Sequence, residues 1–294
     1  MAQEKPETGT RFSAVEIHDN ILEPAREEMN RPAASLLWSS LASGMVIGFS
    51  FLASGFAASI ASEKYAHAAA SAAYPLGFIF VVMARSELFT ENTLDPVVPL
   101  LEQRNRETFM KLLRMWALLL IGNLVGALIF GWVLARTPVV SAELHPHLEH
   151  IAEQATSGGF TTILYAGVFA GWLIALLSWV LAATHSTPAQ LALIWLCTAP
   201  ISAFHFRHSI AGSVEAFYRA AGGDASWASM LGNFVVPAVL GNAIGGVLLV
   251  ALLNYGQVAP EKEDVKHGKG GKDVREEQER RAGYGRRKVD VGAW

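Results

Sequence analysis

The feature that most restricts this 294-residue chain is the length of its stretches without Asp, Glu, Lys or Arg. Uncharged runs occupy 32–62, 65–84, 115–135, 154–206 and 225–260. Crossing about 30 Å of hydrocarbon takes about 20 helical residues, and each run is close to that length or beyond it. With 52% hydrophobic residues and the charges gathered in the two tails and one loop, soluble classes are excluded. The chain reads as an all-α, multi-pass membrane protein. Its first apolar segment begins near residue 33 and is too long for the core of a signal peptide, so it reads as a retained first span.

Six spans are expected, near 33–61, 66–84, 115–135, 160–183, 189–204 and 233–254. Residues 1–32 precede the membrane region at 33–256. There Ala14, Ile17, Ile21, Leu22 and Ala25 recur at helical spacing among acidic and basic residues, which suits a short amphipathic helix. Residues 257–294 alternate both signs of charge without an apolar face and read as a solvated, disordered tail. Both tails and the 104–114 loop are basic, whereas 137–159 has no Lys or Arg. That asymmetry sets both termini in the cytoplasm. The 137–159 segment, with His145, His147, Glu149 and His150, reads as a solvated loop rather than a metal site. The single cysteine, Cys197, lies in an apolar run and supports neither a disulfide framework nor a metal cluster. No cofactor and no nucleic-acid partner is expected.

Two breaks interrupt the apolar pattern. One is ARSELFTEN (84–92), followed by Pro96 and Pro99; the other is FHFRHSIAG (204–212). They belong to an internal repeat. GNLVGALIFGWVL (122–134) aligns with GNAIGGVLLVALL (241–253) at an offset of 119, and at the same offset SELFTENT falls on HFRHSIAG and Thr90 on Ser209. Each half then has three segments with the middle one broken. An odd number of spans per half inserts the halves in opposite orientations, the inverted 3+3 arrangement in which broken helices 2 and 5 meet at a permeation site. Free main-chain groups at such breaks must line protein or water, and helix N-termini there suit anions. Arg207 carries a fixed positive charge, and His208 is of a type that titrates near neutrality. Together they favour an anion over a cation. The competing structural reading pairs Arg207 with Glu215 or Glu87, and Arg85 with Glu87 or Glu91, as braces.

These motifs, SELFTEN, GNLVGALIF, FRHSIAG and VPAVLGNAIGG, resemble the formate/nitrite transporter family across about 34–255, and in particular a divergent bacterial inner-membrane branch of it. The resemblance implies an aquaporin-like protomer, assembled as a homopentamer in the lipid bilayer, with a pore in each protomer for small monovalent anions, often with proton coupling. By position, His208 matches the central pore histidine, Thr90 its threonine partner, Leu88 an apolar constriction residue and Tyr74 an aromatic of the outer constriction. Arg207, Ser209 and Arg85 complete the expected pore and substrate-binding set, the two arginines standing in for a family lysine that this chain lacks, and Ser86, Glu87, Phe89 and Gly212 fall at the helix breaks. The chain departs from the family pattern at Arg207 and Gly212, where Glu and Asn are usual. It departs also at Gly171 (Asn), at Ala155 (no lysine nearby) and at Arg85 (a small residue). A fixed Arg207 beside His208 disfavours the imidazolium by like-charge repulsion, so a neutral His208 is expected.

Three other classes compete with this reading. A water or neutral-solute channel is disfavoured by Arg207 and by the absence of paired NPA motifs. A serine-type enzyme built on Ser54, Ser209 and His208 lacks a G-x-S-G setting. A non-conducting scaffold would use the arginines as plugs.

Overall fold

The computed structural model describes residues 12–266. Helix α1 (Ala14–Met29) opens on a capping box, in which the Ser13 hydroxyl accepts from the Glu16 N–H while the Glu16 carboxylate accepts the Ser13 N–H at 2.6 Å. Its buried face is His18, Ile21, Leu22, Ala25 and Met29, close to the amphipathic set read from the sequence. Helices α2 (Ala33–Val46) and α3 (Gly48–Ile60) form one nearly continuous stretch. They are followed by α4 (Ala66–Ala73), α5 (Pro75–Met83), the short α6 (Val97–Gln103) and the long α7 (Arg106–Arg136). Helix α8 (His145–Thr156) precedes α9 (Phe160–Leu181), α10 (Thr187–Ala203) and α11 (Ser209–Gly222). The last stretch runs through α12 (Trp227–Ser229), α13 (Val236–Gly246) and α14 (Leu253–Lys266), joined by two π-helical segments.

Five helical stretches among the described residues are long and apolar enough to cross a membrane: Ala33–Ile60, Glu63–Met83, Arg106–Arg136, Phe160–Leu181 and Trp227–Lys262. The remaining expected span is split. Helix α10 has 17 residues, about 25 Å at 1.5 Å per residue, and the chain then breaks before α11. Large apolar side chains such as Trp38, Phe56, Tyr165 and Leu196 stand exposed on the helices, as a lipid-facing surface requires.

Two sequence expectations are corrected here. The 137–159 segment is not a solvated loop, because α8 folds back and buries Leu148 and Ala152 completely against α3 and α11. No group of His, Asp or Glu with metal-ligand spacing occurs among the described residues. The helical chain also continues past 257 to Lys266. Lys262 ties it down with ion pairs to Asp19 of α1 at 2.7 Å and Glu102 of α6 at 3.1 Å. The expected disordered tail beyond that point lies outside the described residues.

The tightest helix packing repeats. Helix α2 packs on α7, and α9 packs on α13. A Cβ on Gly44 would collide with the backbone of Asn123, and one on Gly171 with the backbone of Asn242. Small residues that let backbones touch are what hold helices together in lipid, where apolar burial offers no net drive. Gly171, which stands where the family resemblance puts an asparagine of the fourth span, is a packing residue at a helix crossing.

Candidate functional site

Both helix breaks have one geometry. After α5, the N–H groups of Ala84, Arg85 and Ser86 donate to the carbonyls of Phe80 (3.0 Å), Val82 (3.0 Å) and Val81 (3.1 Å). After α10, those of Phe204, His205 and Phe206 donate to Pro200 (2.9 Å), Ser202 (3.1 Å) and Ile201 (2.8 Å). Each is a Schellman-type stop, in which a left-handed residue lets the following N–H reach back five positions. The left-handed residues are Arg85 (φ 53°) and His205 (φ 55°), not glycines. L-residues pay about 1–2 kcal/mol for that conformation, so the surrounding structure has to hold it.

One asparagine clamps each break. Asn123 Oδ1 accepts the Phe89 N–H at 2.8 Å while its Nδ2 donates to the carbonyls of Ser40 (2.8 Å) and Glu87 (3.0 Å). Asn242 Oδ1 accepts the Ser209 N–H at 2.7 Å while its Nδ2 donates to the carbonyls of Gly167 (2.8 Å) and Arg207 (2.8 Å). Both are fully buried. Without them, main-chain groups freed by the breaks would be orphaned at membrane depth. In this geometry Phe89 corresponds to Ser209, Glu87 to Arg207 and Leu88 to His208. The sequence offset of 119 paired Thr90 with Ser209; at the breaks the spacing is one residue longer.

Thr90 and His208 meet at the centre. Their side chains are 2.8 Å apart, Oγ1 to Nε2, and both are buried. The N–H of Ala211 lies 3.0 Å from His208 Nδ1. A main-chain N–H can only donate, so Nδ1 is the acceptor and the ring proton sits on Nε2, directed at Thr90 Oγ1. That is a neutral imidazole. The sequence assigned its neutrality to repulsion from Arg207; here the helix N-terminus of α11 holds the tautomer. The Phe78 ring stands edge-on to His208 at 4.9 Å.

Arg207 is not paired with a carboxylate. Its guanidinium donates to the carbonyl of His205 at 2.8 Å and to those of Gln154 at 2.9 Å and Ser157 at 3.3 Å. The last two carbonyls sit at the C-terminal end of α8, where a cation is favoured by the free carbonyls and the helix dipole. Neither proposed partner takes it: Glu87 pairs with Arg31, and Glu215 makes neither an ion pair nor a hydrogen bond among the described residues. Arg85 has no carboxylate partner either; its side chain is exposed at the edge of a cavity.

Two cavities adjoin this region without sharing a lining residue: one reaches His208, and the other is lined by Glu87 and Glu91, on either side of Thr90 in the chain. On the α8 side, Tyr74, Arg207, His208, Gly212 and Glu215 face one cavity together with His67, His205 and Phe234. On the α1 side, Arg85, Ser86, Glu87 and Glu91 face the other together with Glu28 and Asp95. Leu88, Thr90 and Phe78 are fully buried and line neither cavity. Gly212 leaves room for the Phe234 ring, which a Cβ there would strike. Of the residues singled out in the sequence, Ser209 and Phe89 belong to the clamps rather than to either cavity, and Ser209 Oγ has no partner. Sequence reasoning assigned no role to Asn123 or Asn242, although both stand in the repeated GNxxG. It also gave no site role to Glu215, which lies seven residues past His208 and so on the same helix face.

A sequence profile described as formate/nitrite transporter matches residues 15–256. The chain belongs to the formate/nitrite transporter family. This family consists of transporters and channels, not enzymes. The chain is 31% identical over 246 residues to the inner membrane protein YfdC of Escherichia coli (strain K12), covering 83% of this chain and 79% of that one. It is 26% identical over 249 residues to the nitrite transporter NirC of Salmonella typhimurium, covering 81% and 88%. Among solved structures it resembles an FNT family ion channel (TM-score 0.68, 22% identity, 83% of this chain and 98% of that one). It also resembles a pentameric formate channel with formate bound (TM-score 0.64, 20% identity, 76% and 96%). The formate/nitrite transporter fold thus accounts for the whole membrane region.

Proposed function

We propose that this formate/nitrite transporter family member carries small monovalent anions of the formate or nitrite kind through a pore in each protomer, with proton linkage. The observation that carries this reading is the buried Thr90–His208 hydrogen bond, with one cavity reaching His208 and a second lined by residues on either side of Thr90 in the chain. Thr90 Oγ1 accepts the His208 proton, so its own hydroxyl hydrogen is available to an anion arriving at the constriction. Leu88 and Phe78 exclude water there, and neither helix break needs a permeant ion for its own satisfaction, because Asn123 and Asn242 supply the partners.

The repeated breaks and clamps support six spans in an inverted 3+3 arrangement, with α10 and α11 forming the broken fifth. The assembly is a homopentamer in the bacterial inner membrane with both termini cytoplasmic. The Lys/Arg asymmetry supports that orientation, and likeness to a pentameric channel supports the assembly. Flux of formate, nitrite and nitrate into liposomes holding the purified protein, at one pH below neutrality and one above, tests the reading. Formate and nitrite uptake well above that of empty liposomes is expected, with little water-driven swelling. Swelling without anion uptake would instead favour a neutral-solute channel, and neither would favour a non-conducting scaffold.

A further inference from the structure

The cavity on the α8 side holds an arginine and a carboxyl group that do not satisfy each other. Arg207 is only 7% exposed, and its Nε–H has no hydrogen-bond partner, although the two terminal nitrogens are spent on carbonyls. Glu215 is 4% exposed and faces the same cavity without a partner among the described residues. Burying a donor and a carboxyl unpaired is costly, and a bound molecule that accepts from one and shares a proton with the other removes both costs.

We infer that Arg207 and Glu215 form a binding site for the conjugate base of a weak acid, and that Glu215 supplies the proton with which that acid moves on to the constriction. This rests on the anion-pore reading above. The Arg207 Nε–H donates to one oxygen of the arriving anion. The Glu215 O–H bond breaks as an O–H bond forms on the second oxygen, leaving a Glu215 carboxylate near the Arg207 cation and a neutral acid in the cavity. A proton from cavity water then restores the carboxyl. Glu215 and His208 lie on one face of α11, two turns and about 10 Å apart, so the transfer precedes the constriction.

The far side gives the transfer its purpose. Glu28, Glu87, Glu91 and Asp95 face the α1-side cavity, with Arg85 as the cation among them. A charged anion meets that acidic lining; a neutral acid does not. The other titratable groups facing Glu215 across its cavity are His67 and Tyr74 from the second broken segment, with His205 and His208. His67 and His205 are stacked on each other with centroids 4.7 Å apart at the exposed rim.

The test compares Glu215→Gln, which keeps the shape and loses the transferable proton, with Glu215→Asp, which keeps the carboxyl. Proteoliposome uptake of formate, a weak-acid anion, is measured beside nitrate, which takes no proton near neutrality. The Gln variant should lose at least about tenfold in formate uptake and lose the rise in uptake at lower external pH. The Asp variant should retain both, and nitrate uptake should not fall with the Gln change. Formate uptake by the Gln variant within twofold of wild type, an unchanged pH profile, or an equal fall for both anions would overturn the inference while leaving the pore reading intact. A wild-type protein inert towards formate would overturn the pore reading and, with it, this inference.

Discussion

Thr90 has one side-chain partner, the His208 ring, and the consequence of removing it follows from burial. Thr90→Val leaves the His208 Nε2–H without an acceptor in a dry site, a cost of about 1–3 kcal/mol. Thermal unfolding in detergent should show a lower Tm for the valine variant and near-native behaviour for Thr90→Ser, with formate flux following the same order. Glu28 makes a prediction of a different kind. Burial, and secondly the charge of Glu87, push its carboxyl up from 4.5 to about 7, against the opposing pull of Arg31 and Arg85. A carboxyl raised on folding holds its proton in the folded state when the unfolded chain has already lost it. Its contribution to stability is therefore present at low pH and falls as pH rises from about 4.5 through 7. The attachment of α1 should loosen across that window, read as increasing amide exchange in α1, and Glu28→Gln should flatten the dependence.

At the scale of elements, the two asparagine clamps are equivalent parts of one device. Asn123→Leu and Asn242→Leu each orphan a main-chain N–H and two carbonyls. At about 1–3 kcal/mol per group, the sum is a large share of a typical 5–15 kcal/mol total. Both variants should fail to give a monodisperse peak in size-exclusion chromatography, and to a similar degree. Gly171→Ala should cost about 3 kcal/mol or more of overpacking, because its Cβ would strike the Asn242 carbonyl oxygen, a backbone atom that cannot rotate aside; a clearly lowered Tm is expected. Much of this organisation was legible in the sequence. Charge-free runs report lipid directly, and a repeated GNxxG reports helix contact. The partners of Arg207 were not legible, since it binds main-chain carbonyls, which every residue type carries. Helix α8 was read as loop because its buried face is only a few residues wide in a polar segment. The one-residue change of spacing between clamp and break altered which residues correspond, and no local pattern marks it.

At the scale of the whole molecule, α1, α6 and α14 are tied together through one lysine. Lys262 joins α14 to α1 and α6 through Asp19 and Glu102, and donates to His18 Nδ1 at 2.9 Å. Lys262→Ala should therefore speed protease cleavage of both α1 and α14 while leaving the membrane helices protected. Native mass spectrometry tests the proposed homopentamer, with five copies as the expected result.

The clamps also dictate an order of events during synthesis. Asn123 emerges from the ribosome 34 residues after Phe89, and Asn242 emerges 33 residues after Ser209. At about 5–20 residues per second, each break waits roughly 2 to 7 s for the side chain that will satisfy it. During that interval neither α10 nor α11, with Arg207 and Glu215, is a stable guest of the bilayer. The insertion machinery must shelter the pair, and a nascent chain arrested before Asn242 should remain extractable where one arrested after it does not.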